Sequence, residues 1–350
     1  MEKIKKENIV TAISIYSSRV STCIAILDEG MRPNIVGLGK TDGKLLGRRG
    51  VLDIDVLSRT IRKSLEMAQK EANVASPKAF ASITGGSINS EKSRGMVKLS
   101  QKGKEISDRD VRAALKVANT IPINVAKEII HSIPQDFIVD GQDDIKEPIG
   151  LHGVKLETEA LLITAHIPFL QNVIKSLNLA GVELEDVAFS GIALSQCLLS
   201  QDTENKGVIL IEIDNNFTAV SVFFDNILRG INIQPKSVIA DGVLEVLKES
   251  VDRIRNNKPI SKIILTGGGY IHEDFIEKVD SVFGIPSQIA YARNIIGSSK
   301  DINNPAHLTA IGLALYGFEK RKDRVALRKG KLGILQRATR RMGEFLEEYF

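Results

Sequence analysis

The chain has 350 residues, 43% of them hydrophobic and 26% charged, with a formal net charge of +4. This profile excludes a disordered chain, and no apolar run approaches the roughly 20 residues that a bilayer-spanning helix needs. Between Glu319 and Arg341 there are ten Lys/Arg against two acids, so the basicity belongs to one end and points to a local anionic partner, not to a general nucleic-acid surface.

The N-terminus is basic, but Arg19 interrupts the apolar stretch and no small-residue cleavage site follows, which predicts a cytoplasmic protein. IVTAISIYSSRVSTCIAILDEG (9–30) reads as a strand, a turn at Tyr16–Ser18 and a second strand. In the following segment Leu57, Ile61, Leu65 and Ala68 recur at helical spacing, with Asp53 and Asp55 at the positive end of that helix. Residues 80–165 change character. Short strands (AFASITG, GMVKLS, ALLITAHI) surround one helix that begins at Ser107-Asp108-Arg109-Asp110 and runs to about Ala118. Pro122, Pro134 and Pro148 punctuate the remainder. A helical pattern resumes over Gln171–Leu179.

A second lobe begins at Gly207 with VILIEIDNNFTAVSVFFDN (208–226), again a strand–turn–strand unit. Asn215 and Asn216 are residue types that tolerate the positive φ of a tight hairpin turn. Placing Ser14–Ser18 against Glu212–Asn216 aligns the two hairpins, so the fold is predicted to be duplicated. A helix over Val238–Arg255, a buried strand over 262–270, a helix over His272–Val282 and a strand over Gln288–Tyr291 follow. NPAHLTAIGLALYG (304–317) reads as a last helix stopped by Gly317. Cys23 and Cys197 lie in apolar runs and read as buried free thiols. No Cys/His cluster has metal-ligand spacing. The five histidines are scattered and read as structural, and Asp143-Asp144 reads as a solvated turn.

EIIHSIPQDFIVDGQDDIKEPIGLHGVKLE (128–157), FSGIALSQCLL (189–199), ILTGGGY (264–270) and NNPAHLTAIGLALYG (303–317) resemble the FtsA cell-division protein family, in order along nearly the whole chain. The resemblance implies an α/β, two-lobed actin/Hsp70-like (ribonuclease H-like, duplicated) fold with an inserted α+β FtsA-type subdomain and a C-terminal amphipathic helix. The implied domains are a first lobe at 1–82, the inserted subdomain at 83–165 and completion of the first lobe at 166–206. A second lobe at 207–317, a basic linker at 318–331 and a membrane-targeting helix at 332–350 follow. In the family a whole outer subdomain separates the strand ending near Ile233 from the helix before the glycine-rich strand. Here only Gln234 to Ser261 lies between, so that subdomain is expected to be missing.

By position the resemblance makes the hairpins at 12–20 and 212–220 two phosphate loops. Ser17, Ser18, Glu212 and Thr218 would face the phosphates, and Gly267, Gly268 and Gly269 the adenosine. Both loops depart from the family pattern. Ser14 stands where an acid belongs and Tyr16 where a glycine belongs. Asp214, Asn215 and Asn216 replace glycines, Phe217 a threonine, and Ala219 an acid. A turn that grips phosphate needs bare backbone N–H groups at close range, and Tyr16, Phe217 and the negative Asp214 oppose this. ATPase activity and a required cofactor are therefore not expected. ATP with Mg is the cofactor that the family would bring, and no separate metal site is expected.

The tail, GILQRATRRMGEFLEEYF (333–350), places Leu335, Ala338, Met342, Phe345, Leu346 and Tyr349 on one helical face and Arg337 and Arg340 opposite, with Arg341 between. Such a helix suits the headgroup layer of anionic cytoplasmic-membrane lipid, and the basic linker KRKDRVALRKGK (320–331) reinforces the attraction. The reading is a peripheral adaptor on the cytoplasmic side of the inner membrane at the division site, linking FtsZ and later division proteins and able to self-associate. The alternatives are a nucleotide-binding actin-like ATPase and an adaptor resembling the pilus-assembly protein PilM.

Overall fold

A computed structural model describes residues 8–120, 125–199, 207–235, 242–267, 273–292, 295–299, 301–302 and 304–328. The chain divides into two compact units, one built from Met1–Ile88 and Ile167–Lys320 and the other centred on Asn89–His166.

The first unit opens with an antiparallel meander, β1 (Ile9–Ile15), β2 (Arg19–Leu27) and β3 (Pro33–Asp42). A small ribbon of β4 (Leu46–Gly47) and β5 (Gly50–Val51) precedes α1 (Ile54–Ala72). The Asp53 carboxylate caps α1 by accepting from the Val56 amide at 2.9 Å, which satisfies one of the open N–H groups of the first turn. Leu57, Ile61, Leu65 and Ala68 are buried, as their spacing predicts. α1 lies so close to β3 that a Cβ on Gly39 would sit 2.0 Å from the Ser64 carbonyl oxygen. β6 (Lys78–Ile83) then pairs parallel with β1.

The second unit holds β7 (Ile88–Lys98), β8 (Lys104–Glu105), α2 (Asp108–Ala118), β9 (Lys127–Val139), β10 (Gln142–Ile145), β11 (His152–Gly153) and β12 (Lys155–His166). Its main sheet has the order β10-β9-β12-β7. α2 starts at a capping box in which Asp110 accepts from the Ser107 amide at 3.0 Å, and its Val111, Ala114 and Leu115 bury against Phe137, Val139 and Leu156. The unit starts at Asn89 where the sequence places the insertion from residue 83.

The chain returns to the first unit with α3 (Ile167–Leu179), β13 (Glu183–Phe189) and α4 (Ser190–Leu198). The second lobe follows as β14 (Gly207–Ile213), β15 (Thr218–Phe224), β16 (Ile227–Gln234), α5 (Val243–Arg255), β17 (Ile260–Gly267), α6 (Glu273–Phe283) and β18 (Ser287–Ile289). β19 (Ile296–Gly297) pairs with β3, and a one-turn segment, Pro305–His307, leads into α7 (Leu308–Arg328). The two lobe sheets have the orders β13-β6-β1-β2-β3-β19 and β16-β15-β14-β17-β18. Each is a meander extended by parallel strands from its first member, which is the duplicated plan that the resemblance implies. Only Pro235 to Gly242 separate β16 from α5, so the second lobe has no outer subdomain between them.

Two local expectations are corrected. Gly317 does not stop the last helix, which runs on to Arg328 through most of the segment expected to be a linker. Gly317 is there for packing, because a Cβ would meet Val10 at 2.8 Å and Phe80 at 2.9 Å. Nor do Asn215 and Asn216 take positive φ. That conformation belongs to the next turn, at Asp225 (52°) and Asn226 (59°), where a two-residue loop joins β15 to β16 and matches the twist of its strands. Cys23 and Cys197 are free and buried, and burial pushes the Cys197 thiol up to about 12. The segment 332–350 expected to form a membrane-targeting helix, with Leu335, Arg337, Ala338, Arg340, Arg341, Met342, Phe345, Leu346 and Tyr349, lies outside the described residues. Among the described residues no helix is long and apolar enough to cross a membrane.

Candidate functional site

The two hairpin tips that the sequence aligns meet in the first unit. Ile15 pairs with Val20 at one tip and Ile213 with Thr218 at the other. The Tyr16 amide donates to the Arg19 carbonyl at 2.9 Å and the Asp214 amide to the Phe217 carbonyl at 3.0 Å. The backbones are therefore equivalent, Tyr16 matching Asp214 and Arg19 matching Phe217. Between the tips, the Tyr16 and Phe217 rings stack with centroids 6.4 Å apart and planes inclined by 12°. The Arg19 guanidinium lies 4.7 Å from the Tyr16 ring centroid, on a face whose quadrupole attracts cations. The Ser17 amide donates to Asp214 Oδ2 at 3.1 Å, joining residues 197 apart in the chain. Tyr16 Oη and Thr309 Oγ1 are 2.6 Å apart, which ties the stack to the start of α7. Beside these, Ser21 Oγ and His307 Nδ1 are 2.6 Å apart.

These groups are buried, and burial dominates their protonation. Glu212 is 3% exposed. Burial pushes its carboxyl up to about 7, with the bond from the Ser190 hydroxyl and the nearby Thr84 hydroxyl pulling the other way and Asp214 adding repulsion. Ser190, at the start of α4, donates to Glu212 Oε1 at 2.9 Å. Asp214 is fully buried and is likewise pushed up by burial, opposed by Ser17, whose amide donates to it, by the Asn215 amide and by the Arg19 charge. The Tyr16 phenol is held above its usual range, first by burial and then by Glu212. His307 is pushed down to about 4 by burial, with Asp301 opposing and Arg19 and Lys40 adding. Every one of these shifts disfavours charge. The site does not fit a polyphosphate: stacked rings fill the space between the tips, and a carboxylate already holds the Ser17 amide.

The unit centred on Asn89–His166 decides the family. The model of the SHS2 domain inserted in FtsA matches residues 85–164, and the cell division protein FtsA of Borreliella burgdorferi is 25% identical across 98% of this chain and 99% of its own length. The inserted unit is an FtsA-type domain, and the chain is similar to FtsA cell division proteins along nearly its whole length. It is a cell division protein of the FtsA type. The FtsA of Pseudomonas aeruginosa is 21% identical over 93% of each chain. That of Bacillus subtilis is 33% identical over 202 residues, 58% of this chain and 46% of that one. The Borreliella alignment runs over 415 positions, more than the 350 residues available here, so it places gaps in this chain. Two solved structures share the fold. A chain of the PilM-PilN type IV pilus biogenesis complex matches at a TM-score of 0.65 with 12% identity, covering 88% of this chain and 98% of that one. The ethanolamine utilization protein EutJ of Carboxydothermus hydrogenoformans matches at 0.50 with 12% identity, covering 90% and 92%.

Within this FtsA-type chain the expected site residues fall in three groups. Ser17, Glu212 and Thr218 are buried where the tips meet. Ser18 is half-buried beside them and its carbonyl accepts from the Gly43 amide at 2.9 Å. Gly267 ends β17 at φ 122°, where a Cβ would lie 2.0 Å from the Ile213 carbonyl oxygen, so its missing side chain serves the approach of β14. Gly268 and Gly269 lie outside the described residues. The sequence does not announce Arg19, inside the first hairpin, as a member of the site, nor Ser190, His307 and Thr309, which arrive from two stretches outside both hairpins. Among the described residues no group of three or more His, Cys, Asp or Glu is placed to hold a metal ion.

Proposed function

We propose that this FtsA-type protein is a peripheral adaptor at the division site that works by binding and not by turning over ATP. Residues 332–350 rest on anionic lipid at the inner face of the cytoplasmic membrane. The FtsA-type insertion holds later division proteins or a second copy of the chain. A link to the FtsZ ring has to run without the outer subdomain, because so few residues separate β16 from α5.

The observation that carries this reading is a cleft filled by the chain's own side chains, the Tyr16–Phe217 stack and the Asp214–Ser17 bond, in a chain that keeps the FtsA-type insertion. The lipid contact is supported by the helical-period spacing of apolar residues in the sequence 333–350 and by the cationic segment before it, whose charges each contribute about 1 kcal/mol near an anionic surface. The test is a fluorescent fusion in dividing cells, paired with sedimentation on anionic liposomes. The full chain is expected at midcell and on liposomes, and the chain without 332–350 in neither place. Midcell bands that survive the truncation would rule out lipid anchoring, and diffuse signal from both forms would rule out the division role.

A further inference from the structure

We propose that Asp214 is a built-in substitute for a phosphoryl group: its carboxylate occupies the anion subsite of the first hairpin, and the two tips are clasped by the chain itself instead of by a ligand. This rests on the ATP-independent reading above and names what took the ligand's place.

Three observations carry it. The Ser17 amide at the head of the first turn is the kind of donor that receives an anion, and it donates to Asp214 Oδ2 at 3.1 Å. A bond to an ionised acceptor is about twice as strong as one between neutral groups. Asp214 is fully buried, so this is not a surface carboxylate settling on the nearest amide. Removing a carboxylate from water is costly, and here the bond from the Ser17 amide to Oδ2, with the Asn215 amide and the Arg19 charge nearby, offsets part of that cost, while Oδ1 has no hydrogen-bond partner among the described residues. Finally, the remaining space is closed by the Tyr16–Phe217 stack under the Arg19 guanidinium, so ring, cation and carboxylate all come from the four corners of the two turns. A tethered occupant acts at an effective concentration of millimolar or more, which a free phosphate compound must exceed before it can enter.

The full-length protein, Asp214→Ala and Asp214→Asn are compared by amide hydrogen exchange and by calorimetric titration with inorganic pyrophosphate and with Mg-ATP. In Asp214→Ala the Ser17 amide is expected to exchange about tenfold faster or more, the size of one lost charge-assisted bond. The Tyr16 amide, bonded within its own turn, is expected to stay unchanged. Millimolar pyrophosphate restores Ser17 protection in Asp214→Ala and leaves the wild type unaltered. Asp214→Asn keeps most of the protection, since its amide oxygen still accepts, yet binds pyrophosphate more tightly than the wild type because the negative charge is gone. Should Asp214→Ala fail to fold, the Asn variant alone decides. Unchanged Ser17 exchange in the Ala variant, or equal pyrophosphate affinity in wild type and Asn variant, overturns the proposal. Micromolar Mg-ATP binding by the wild type would overturn both the clasp and the ATP-independent reading, whereas loss of midcell placement bears on the adaptor role alone.

Discussion

The tip at Tyr16–Arg19 and the tip at Asp214–Phe217 hold equivalent places in their sheets and close with the same backbone bond, yet they share no side chain at those corners. One leads with a phenol and trails with a guanidinium. The other leads with a carboxylate and trails with a phenyl ring. Further in, neutral Ser14 in β1 matches Glu212 in β14, and both are buried. The backbone persists because the strands on either side are buried next to the tips and their register is fixed by which face meets the core. That register leaves the side chains at the corners of the turns free to differ. What resulted is complementary across the gap, ring to ring and cation to ring, with a carboxylate on an amide.

That complementarity is broken most severely at the rings. Phe217→Ala or Tyr16→Ala removes a buried aromatic and should cost about 3–5 kcal/mol in denaturant unfolding. Tyr16→Phe keeps the stack and loses the hydroxyl that meets Thr309 and faces Glu212, about 1 kcal/mol. The double Ala variant should fall short of the sum by about 0.5–1.5 kcal/mol, the coupling of a stacked pair. Strict additivity would mean that the tips do not support each other through their rings.

Glu212 and Ser14 offer the next contrast. A carboxyl pushed from 4.5 to about 7 keeps its proton in the native state after the unfolded chain has released it. Stability therefore falls as pH rises through that interval. His307, pushed down to about 4, gives the opposite slope between there and 6.5, so the wild type should look flatter than either group alone. Glu212→Gln isolates the term. As pH rises from 4.5 to 8, its stability relative to wild type should increase by about 3 kcal/mol. The groups facing Glu212 are Tyr16, Asp214, Ser190 and Thr84; Asp214 is pushed in the same direction and adds to the fall in wild type and variant alike. A difference that does not change with pH would show that Glu212 is ionised throughout.

Much of this arrangement could be read from residues near one another in the chain. The matched hairpins, the helix capped by Asp53 and the missing outer subdomain all follow from local pattern or from counting residues between recognisable stretches. Two other features could not. β9 runs as one strand through Pro134, where a proline argues against a strand interior, because it lies beside β12 with an irregular register at that point. Gly317 looks like a helix stop, and only the proximity of Val10 and Phe80 reveals it as a packing position. Tyr16 and Phe217 were legible as bulk in the wrong place, but not as partners, since their stacking depends on how two sheets made from distant segments meet.

The smallest contrast lies at the outer corners, where Ser18 and Asn216 are equivalent. Asn216 Nδ2 donates to the Leu46 carbonyl at 2.8 Å and so ties the second tip to the ribbon after the first meander. Ser18 serves the link that leads into this ribbon only through its backbone, its carbonyl accepting from the Gly43 amide, which a change of side chain leaves in place. Asn216→Ala should thus cost about 1 kcal/mol and Ser18→Ala no more than about 0.5 kcal/mol either way, measured side by side in urea. Equal effects would mean that the Asn216 bond is offset by water in the variant, and the second tip would then be held by Asp214 and the rings alone.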